Sequence, residues 1–203
     1  MFFNHIHATS QKLPPFGPYL CEYVTASNGV FVRAKRPGLE AMLPVCLNFN
    51  GGIRGLVPLT PYVRLEAGLI SEHLIGQAVE QMEQAAPLEL LAWVGYAGCY
   101  HLTIPAQTQT ENRCKPLDPC DPRGQIALLD FHSHGIHPPL FSTIDTKDES
   151  QGFRLFAVAG DFPSPTILVR LGINGHFWQI PPDWVMELPK GLTHAMLGEL
   201  PCS

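Results

Sequence analysis

The stretch Phe131–Asp148 reads FHSHGIHPPLFSTIDTKD and gathers His132, His134, Ser142 and Asp145 at short, regular intervals. It continues an apolar, β-rich run, QIALLD, at Gln125–Asp130. Residues two apart in a strand point to the same face. His132 and His134 therefore project together near the strand's end, while Phe131 and Ser133 face the other way. Strand ends are a common place for sites in α/β folds. Beyond Pro138-Pro139, Ser142 and Asp145 have the spacing of an N-cap and the third residue of a helix. If that helix starts beside the strand end, Asp145 meets the two imidazoles.

Two neutral imidazole nitrogens and a carboxylate oxygen make a three-ligand zinc site. The fourth position stays open for water, which is the catalytic rather than the structural arrangement. Zinc lowers the pKa of such a water to ~7. A general base is still needed to pass a proton to a leaving amine, and a carboxylate that does not ligate the metal suits that role. Glu89 is the candidate: it sits in LELLAWV (Leu88–Val94), where a charge is costly without a task or a partner. Ser142, at a helix N-terminus near the metal, can donate its hydroxyl to a developing oxyanion.

Each residue also has a plainer reading. The two histidines could be ordinary surface or core residues, Ser142 with Asp145 a helix cap, and Glu89 an edge-strand charge facing solvent. Their joint order and spacing favours the metal site. His137 leaves open a His-x-His-x-x-His set with a third imidazole in place of Asp145. The two prolines that follow favour a His137 that lines the cleft or faces solvent.

The remaining composition narrows the class. The chain has 203 residues, enough for one full domain or one domain with an appendage. It is 45% hydrophobic and 15% charged, the balance of a globular protein with a real core. The net charge is −5, with Lys and Arg totalling only 13 and no basic run longer than RAKR (Arg33–Arg36). That lacks the electrostatic footprint of nucleic-acid or anionic-membrane binding. No apolar stretch approaches the ~20 residues of a membrane helix. MFFNHIHATSQK is not built like a signal peptide, and the six cysteines include no CxxC pair, so reduced thiols in a cytoplasmic protein are expected. Cys114 and Cys120 share one segment and could pair or bind metal, but two reduced loop cysteines are the simpler reading.

Along the chain, residues 1–65 are expected to be an N-terminal arm and a small β-rich appendage. Residues 1–17 look poorly structured, with His5 and His7 exposed. Tyr19–Lys35 reads as a β-hairpin about Asn28-Gly29. Residues 66–181 are expected to form an α/β or α+β domain. Leu69–Gln84 has one apolar helical stripe (Ile70, Leu74, Ile75, Ala78, Val79, Met82), and Pro87 marks its stop. Leu88–Tyr96 and Tyr100–Ala106 are β-rich, Gln107–Gly124 is expected to be a long polar loop, and Thr166–Pro181 reads as a hairpin about Asn174-Gly175. Residues 182–203 read as a Pro-rich tail with one short helix at most.

These residues resemble a known family. His132-Ser133-His134, seven residues, Ser142, two residues and Asp145 match the H-x-H-x7-S-x2-D signature of the JAMM (MPN+, JAB) metalloproteases. Glu89, following a helix and with 42 residues between it and His132, matches the family's upstream glutamate. The resemblance covers roughly residues 69–180. It implies zinc held by His132, His134 and Asp145, with Glu89 as general base and Ser142 as oxyanion stabiliser. It implies a cytidine-deaminase-like mixed sheet flanked by helices, and cleavage of a peptide or isopeptide bond after the C-terminus of a ubiquitin-like or sulfur-carrier-like protein. A deaminase itself is not expected, because no H-x-E with a downstream P-C-x-x-C is present. The whole chain is also similar to the plasmid-cassette family of PRTRC system A proteins, which implies a ThiF/E1-like enzyme as partner. A non-catalytic MPN-type scaffold, or zinc hydrolysis of a small molecule, is the alternative. Three positions depart from the usual family pattern: Gly135 where many relatives have Pro, Phe141 where many have a small residue or Pro, and Ala92 where Gly is frequent.

Overall fold

Alternating and continuous apolar runs become strands along most of the chain. The structure, a computed structural model, describes residues 3–47 and 51–195. It opens with β1 (Phe3–His7), β2 (Cys21–Ala26), β3 (Gly29–Arg36), β4 (Leu39–Leu47) and β5 (Tyr62–Leu65), paired in that order in one sheet. Helix α1 (Glu72–Ala85) leads into β6 (Leu91–Tyr96) and β7 (Tyr100–Thr103). A separate hairpin follows, β8 (Gln107–Thr110) and β9 (Arg113–Pro116), and then the short helix α2 (Pro122–Ile126). After β10 (Ala127–Ser133) come α3 (Thr143–Asp148), β11 (Phe153–Gly160), β12 (Thr166–Ile173), β13 (His176–Gln179), a 3-10 turn at Pro182–Trp184 and β14 (Thr193–His194).

The second sheet runs β13-β12-β11-β10-β6-β7, with β14 beside β12. β10 lies parallel to β11 and antiparallel to β6, so the sheet is mixed. The chain is thus an α/β protein with mixed sheets and few helices.

One core cluster joins both sheets. Val32, Ala34, Leu39, Ala41 and Leu43 of the first sheet share it with Leu129, Phe131, Leu155, Val169 and Leu171 of the second. Helix α1 adds Ile75, Ala78, Val79 and Met82. Each Val, Leu, Ile, Phe or Met side chain among them, fully removed from water, stabilises the fold by roughly 1.5–3 kcal/mol. Polar bonds also cross between the sheets: Trp178 Nε1 donates to the Pro44 carbonyl at 2.7 Å, and Tyr23 Oη lies 3.0 Å from His176 Nε2.

Several sequence expectations are corrected. Residues 1–17 are not an unstructured arm throughout, because Phe3–His7 pairs in parallel with β2. The first helix is Glu72–Ala85, three residues later at its start than its apolar stripe suggests: Ile70 is buried, but its backbone bonds to Val185 and Glu187 and not into a helix. The first hairpin turns at Ser27-Asn28, since Ala26 pairs with Gly29. Asn28 serves there by bonding both backbone groups of Leu59, and Gly29 takes φ +150 where a Cβ would run into the Cys46 carbonyl. Gln107–Gly124 is not a plain loop but holds β8, β9 and the start of α2. The hairpin about Asn174-Gly175 is present as β12 and β13, with Asn174 at φ 45 and Gly175 at φ 88. The tail's helix is the single turn Pro182–Trp184, and the tail beyond Ala195, including Cys202, lies outside the described residues.

A candidate metal centre

β10 carries the two histidines. His132, paired opposite Leu91 of β6, is buried, and His134 just past the strand end is half-buried. Their Nε2 atoms lie 3.3 Å apart. The Pro138 carbonyl, 3.4 Å from His134 Nδ1, favours the tautomer with the proton on Nδ1, which leaves the Nε2 lone pair facing His132. Burial pulls His132 down to about 4 and His134 below its usual value, against the attraction of the Asp145 carboxylate. Both rings are therefore neutral near pH 7, the form that ligates a metal.

Asp145 arrives from α3 in a capping box. Its Oδ2 accepts the Ser142 N–H at 2.8 Å, and its own N–H donates to Ser142 Oγ at 3.1 Å. The helix-cap reading and the functional reading of this pair are thus compatible. The cap uses one carboxylate oxygen and leaves the other free. It uses Ser142 Oγ as an acceptor and leaves its proton available for donation.

One donor atom each from His132, His134 and Asp145 lie within 4.8 Å of one another. Tetrahedral coordination with bonds of 2.0–2.1 Å separates neighbouring ligand atoms by about 3.3 Å. The imidazole pair already has that spacing, so the three side chains fit a single ion. A set of two nitrogens and one oxygen could bind a metal ion and suits zinc among several divalent metals. His137 is exposed at the cleft and is not one of the three.

Glu89 lies just ahead of β6 and is 8% exposed, so it is not a solvent-facing edge charge. Its Oε1 is 4.0 Å from His134 Nε2, beyond hydrogen-bonding range, and Glu89 is not one of the three residues whose donor atoms converge. Burial, with the nearby negative charge of Asp145, pushes its carboxyl up to about 7, while Cys114 pulls the other way. A carboxyl poised near neutrality is suited to exchanging protons.

The β8–β9 hairpin sets the backbone of this segment, which the sequence reading did not foresee. Gln107 accepts from the Leu91 N–H at 2.8 Å and donates to the Leu91 carbonyl at 2.9 Å. Gln109 donates to the Glu89 carbonyl at 2.8 Å, and the Glu89 N–H donates to the Thr110 carbonyl at 2.8 Å. From the other side, Ser133 Oγ accepts the Leu90 N–H at 2.9 Å. Polar alternation in QTQT was the available signal, but nothing local says where those amides point.

Hairpin and α3 face each other across a cleft of about 810 Å³ whose walls include Arg113, Cys114, Lys115, Leu140 and Ile144. The segment 107–124 forms a wall of it, and none of residues 182–195 lines it. Burial and neighbouring carboxylates push the Cys114 thiol up to about 12, which keeps it protonated. Cys114 and Cys120 are both free thiols. Two family departures acquire local causes. Gly135 has φ 55, which proline cannot adopt, and a Cβ there would sit 2.6 Å from the Pro87 carbonyl. Phe141 stacks on the Arg170 guanidinium at 3.9 Å.

Fold and site together define an α/β protein whose His132, His134 and Asp145 could bind a metal ion. No protein-family model matches the chain, and no curated protein matches it. Among solved structures it is similar to the solution structure of protein DSY2949 from Desulfitobacterium hafniense. That likeness has 16% sequence identity and a TM-score of 0.40, and it covers 61% of this chain and 94% of that one. Among the described residues, no helix is long and apolar enough to cross a membrane.

Proposed function

We propose that the chain is a JAMM-type zinc metallopeptidase or isopeptidase, with zinc held by His132, His134 and Asp145. The observation that carries this reading is the convergence of those three donor atoms within 4.8 Å, with the Glu89 carboxyl 4.0 Å from His134. When bound, zinc would supply Lewis-acid polarisation of the scissile carbonyl and activation of water at its open position. Glu89 accepts the proton from the attacking water and delivers it to the leaving amine. Ser142 donates its hydroxyl to the developing oxyanion. The hairpin bonds to residues 89–91 keep Glu89 in place through both proton transfers.

The substrate in this reading is the C-terminal tail of a ubiquitin-like or sulfur-carrier-like protein, made available in turn by a ThiF/E1-like enzyme. Support for a folded partner over a small molecule comes from the rim of the cleft. Leu117, Ile144, Ile136 and Leu140 are 64%, 63%, 60% and 50% exposed, and all four line the cleft or adjoin residues that do. So much bare apolar surface around one opening fits contact with another protein. The formal charge of −5 gives no general attraction to nucleic acid. The decisive test is Glu89→Gln: the variant is expected to keep one zinc per chain and to lose cleavage of a ubiquitin-like fusion. Wild-type cleavage by that variant would sink the reading.

A further inference from the structure

β12 is an apolar strand with Ile167, Leu168, Val169, Leu171 and Ile173 all buried, yet Arg170 lies among them at 4% exposure. A buried guanidinium is unfavourable unless its donors and its charge are matched. Here Nε and Nη2 both donate to Glu149 Oε2, at 3.0 and 2.5 Å, and Nη1 donates to Thr146 Oγ1 at 3.1 Å. Phe141 and Phe177 stack on its faces, 3.9 and 4.3 Å from the guanidinium carbon. Three of these partners, Phe141, Thr146 and Glu149, bracket Ser142 and Asp145 in sequence.

Helix α3 needs such a tether. None of its six residues is buried, so apolar packing does not hold it. The capping box fixes Asp145 relative to Ser142 but leaves the position of the helix relative to β10 open. On the hairpin side its ion pair is Lys115–Asp148 at 3.7 Å, between two exposed groups, a kind of contact that contributes little. Arg170, two strands from β10 in the sheet order, joins the sheet to Thr146 within α3 and to Glu149 at its C-cap, with Phe141 stacked on it from just ahead of the helix.

We propose that Arg170 is a positioning residue for the metal centre: by clamping α3 to the sheet it keeps the Asp145 carboxylate close enough to His132 and His134 for the three to share one ion. The inference rests on the metal reading of those three residues. Lysine offers a point charge in place of a planar fork, so it replaces only part of the clamp.

The test compares wild type, Arg170→Met, Arg170→Lys and Glu149→Gln by two readouts. One is affinity for Zn²⁺ and Co²⁺ in competition with a chromophoric chelator, with the visible spectrum of the Co²⁺ form. The other is hydrogen–deuterium exchange of residues 143–149 in the metal-free chain. R170M is expected to weaken metal binding about 10- to 100-fold, as loss of a group that orients a ligand does. It is also expected to alter the Co²⁺ spectrum and to speed exchange in α3, with R170K between it and wild type. Should R170M fail to fold, E149Q loosens the clamp from the helix side and is expected to shift both readouts in the same direction. A variant with a lower melting temperature but wild-type affinity, spectrum and α3 exchange would make Arg170 a structural residue only and overturn the proposal. Absence of metal binding by the wild type itself would overturn the metal reading, and this proposal with it.

Discussion

Two places in this molecule bury charged groups, and they do so differently. In the first sheet, Glu22 and Arg33 are 2% and 3% exposed and meet at 2.7 Å. Asn4 donates to the other oxygen of Glu22, Arg33 also donates to the Pro14 carbonyl, and Phe16 stacks on its guanidinium. Those groups are matched to one another and pin the 14–16 segment to β2 and β3. At the second place, one donor atom each from His132, His134 and Asp145 lie within 4.8 Å of one another beside a cleft. Glu89 lies 4.0 Å from His134 at the same place. Burial of polar groups alone therefore does not mark a functional site. What distinguishes the second place is a convergence of donor atoms that could bind a metal ion beside an opening.

Substitutions that separate the two places test this contrast. The largest effects belong to the open centre. Asp145→Ala is expected to remove the metal, read by elemental analysis, and with it all measurable cleavage. Glu89→Gln keeps the metal but slows turnover at least 10²-fold, the lower end of what a general base supplies. Retained zinc in Asp145→Ala would erase the distinction between the two places. Next in size, Arg33→Met should lower stability by about 3–5 kcal/mol, because it strands a buried carboxylate, without changing metal stoichiometry in the folded fraction. Urea unfolding followed by metal analysis measures both, and loss of metal there would mean the two places are coupled.

Smaller still is Ser142→Ala. Loss of the cap costs about 1 kcal/mol. Loss of an oxyanion donor slows turnover about 10²-fold or more at saturating metal. A stability loss with unchanged turnover would leave Ser142 a cap and nothing else. The smallest effect lies at alkaline pH. Burial, aided by hydrogen bonding to Glu40, raises Tyr62 to about 12, and burial raises Tyr100 to about 12 as well. A raised folded-state value means the folded chain holds protons that the unfolded chain has released. The stabilisation is fully present below pH ~10, the unfolded value, and is lost as pH rises through about 12. Ultraviolet titration should show these two tyrosines ionising last. Ionisation of all five near pH 10 would contradict their burial.

What could be read from the residues was local. The i, i+2 histidines, the Ser142–Asp145 cap and the Asn174-Gly175 turn each follow from backbone geometry over a few residues, and the structure places them as strand end, capping box and hairpin. What could not be read was long-range. β1 is a short, partly polar strand whose parallel partner starts 14 residues after it ends, so nothing nearby announces the pairing. QTQT lacks apolar alternation, and its Gln107 and Gln109 amides bond to the backbone of Leu91 and Glu89 and are not packed in a core. Arg170 looks like a lone charge in a strand until Glu149, 21 residues away, is seen beside it.

The glutamines that grip residues 89–91 have a consequence for the sheet edge. Beyond β7, the outer edge of that segment would otherwise present free N–H and C=O groups, the template on which a strand of another molecule can grow. Gln107 occupies both groups of Leu91, and Gln109 with Thr110 occupies both groups of Glu89. A side-chain amide carries both donor and acceptor groups, so it can pair with an N–H and a C=O of the edge as a neighbouring strand would, without lengthening the sheet. Beside the bare apolar rim of the cleft, the backbone groups of Glu89 and Leu91 are already paired and are not open to an intruding chain.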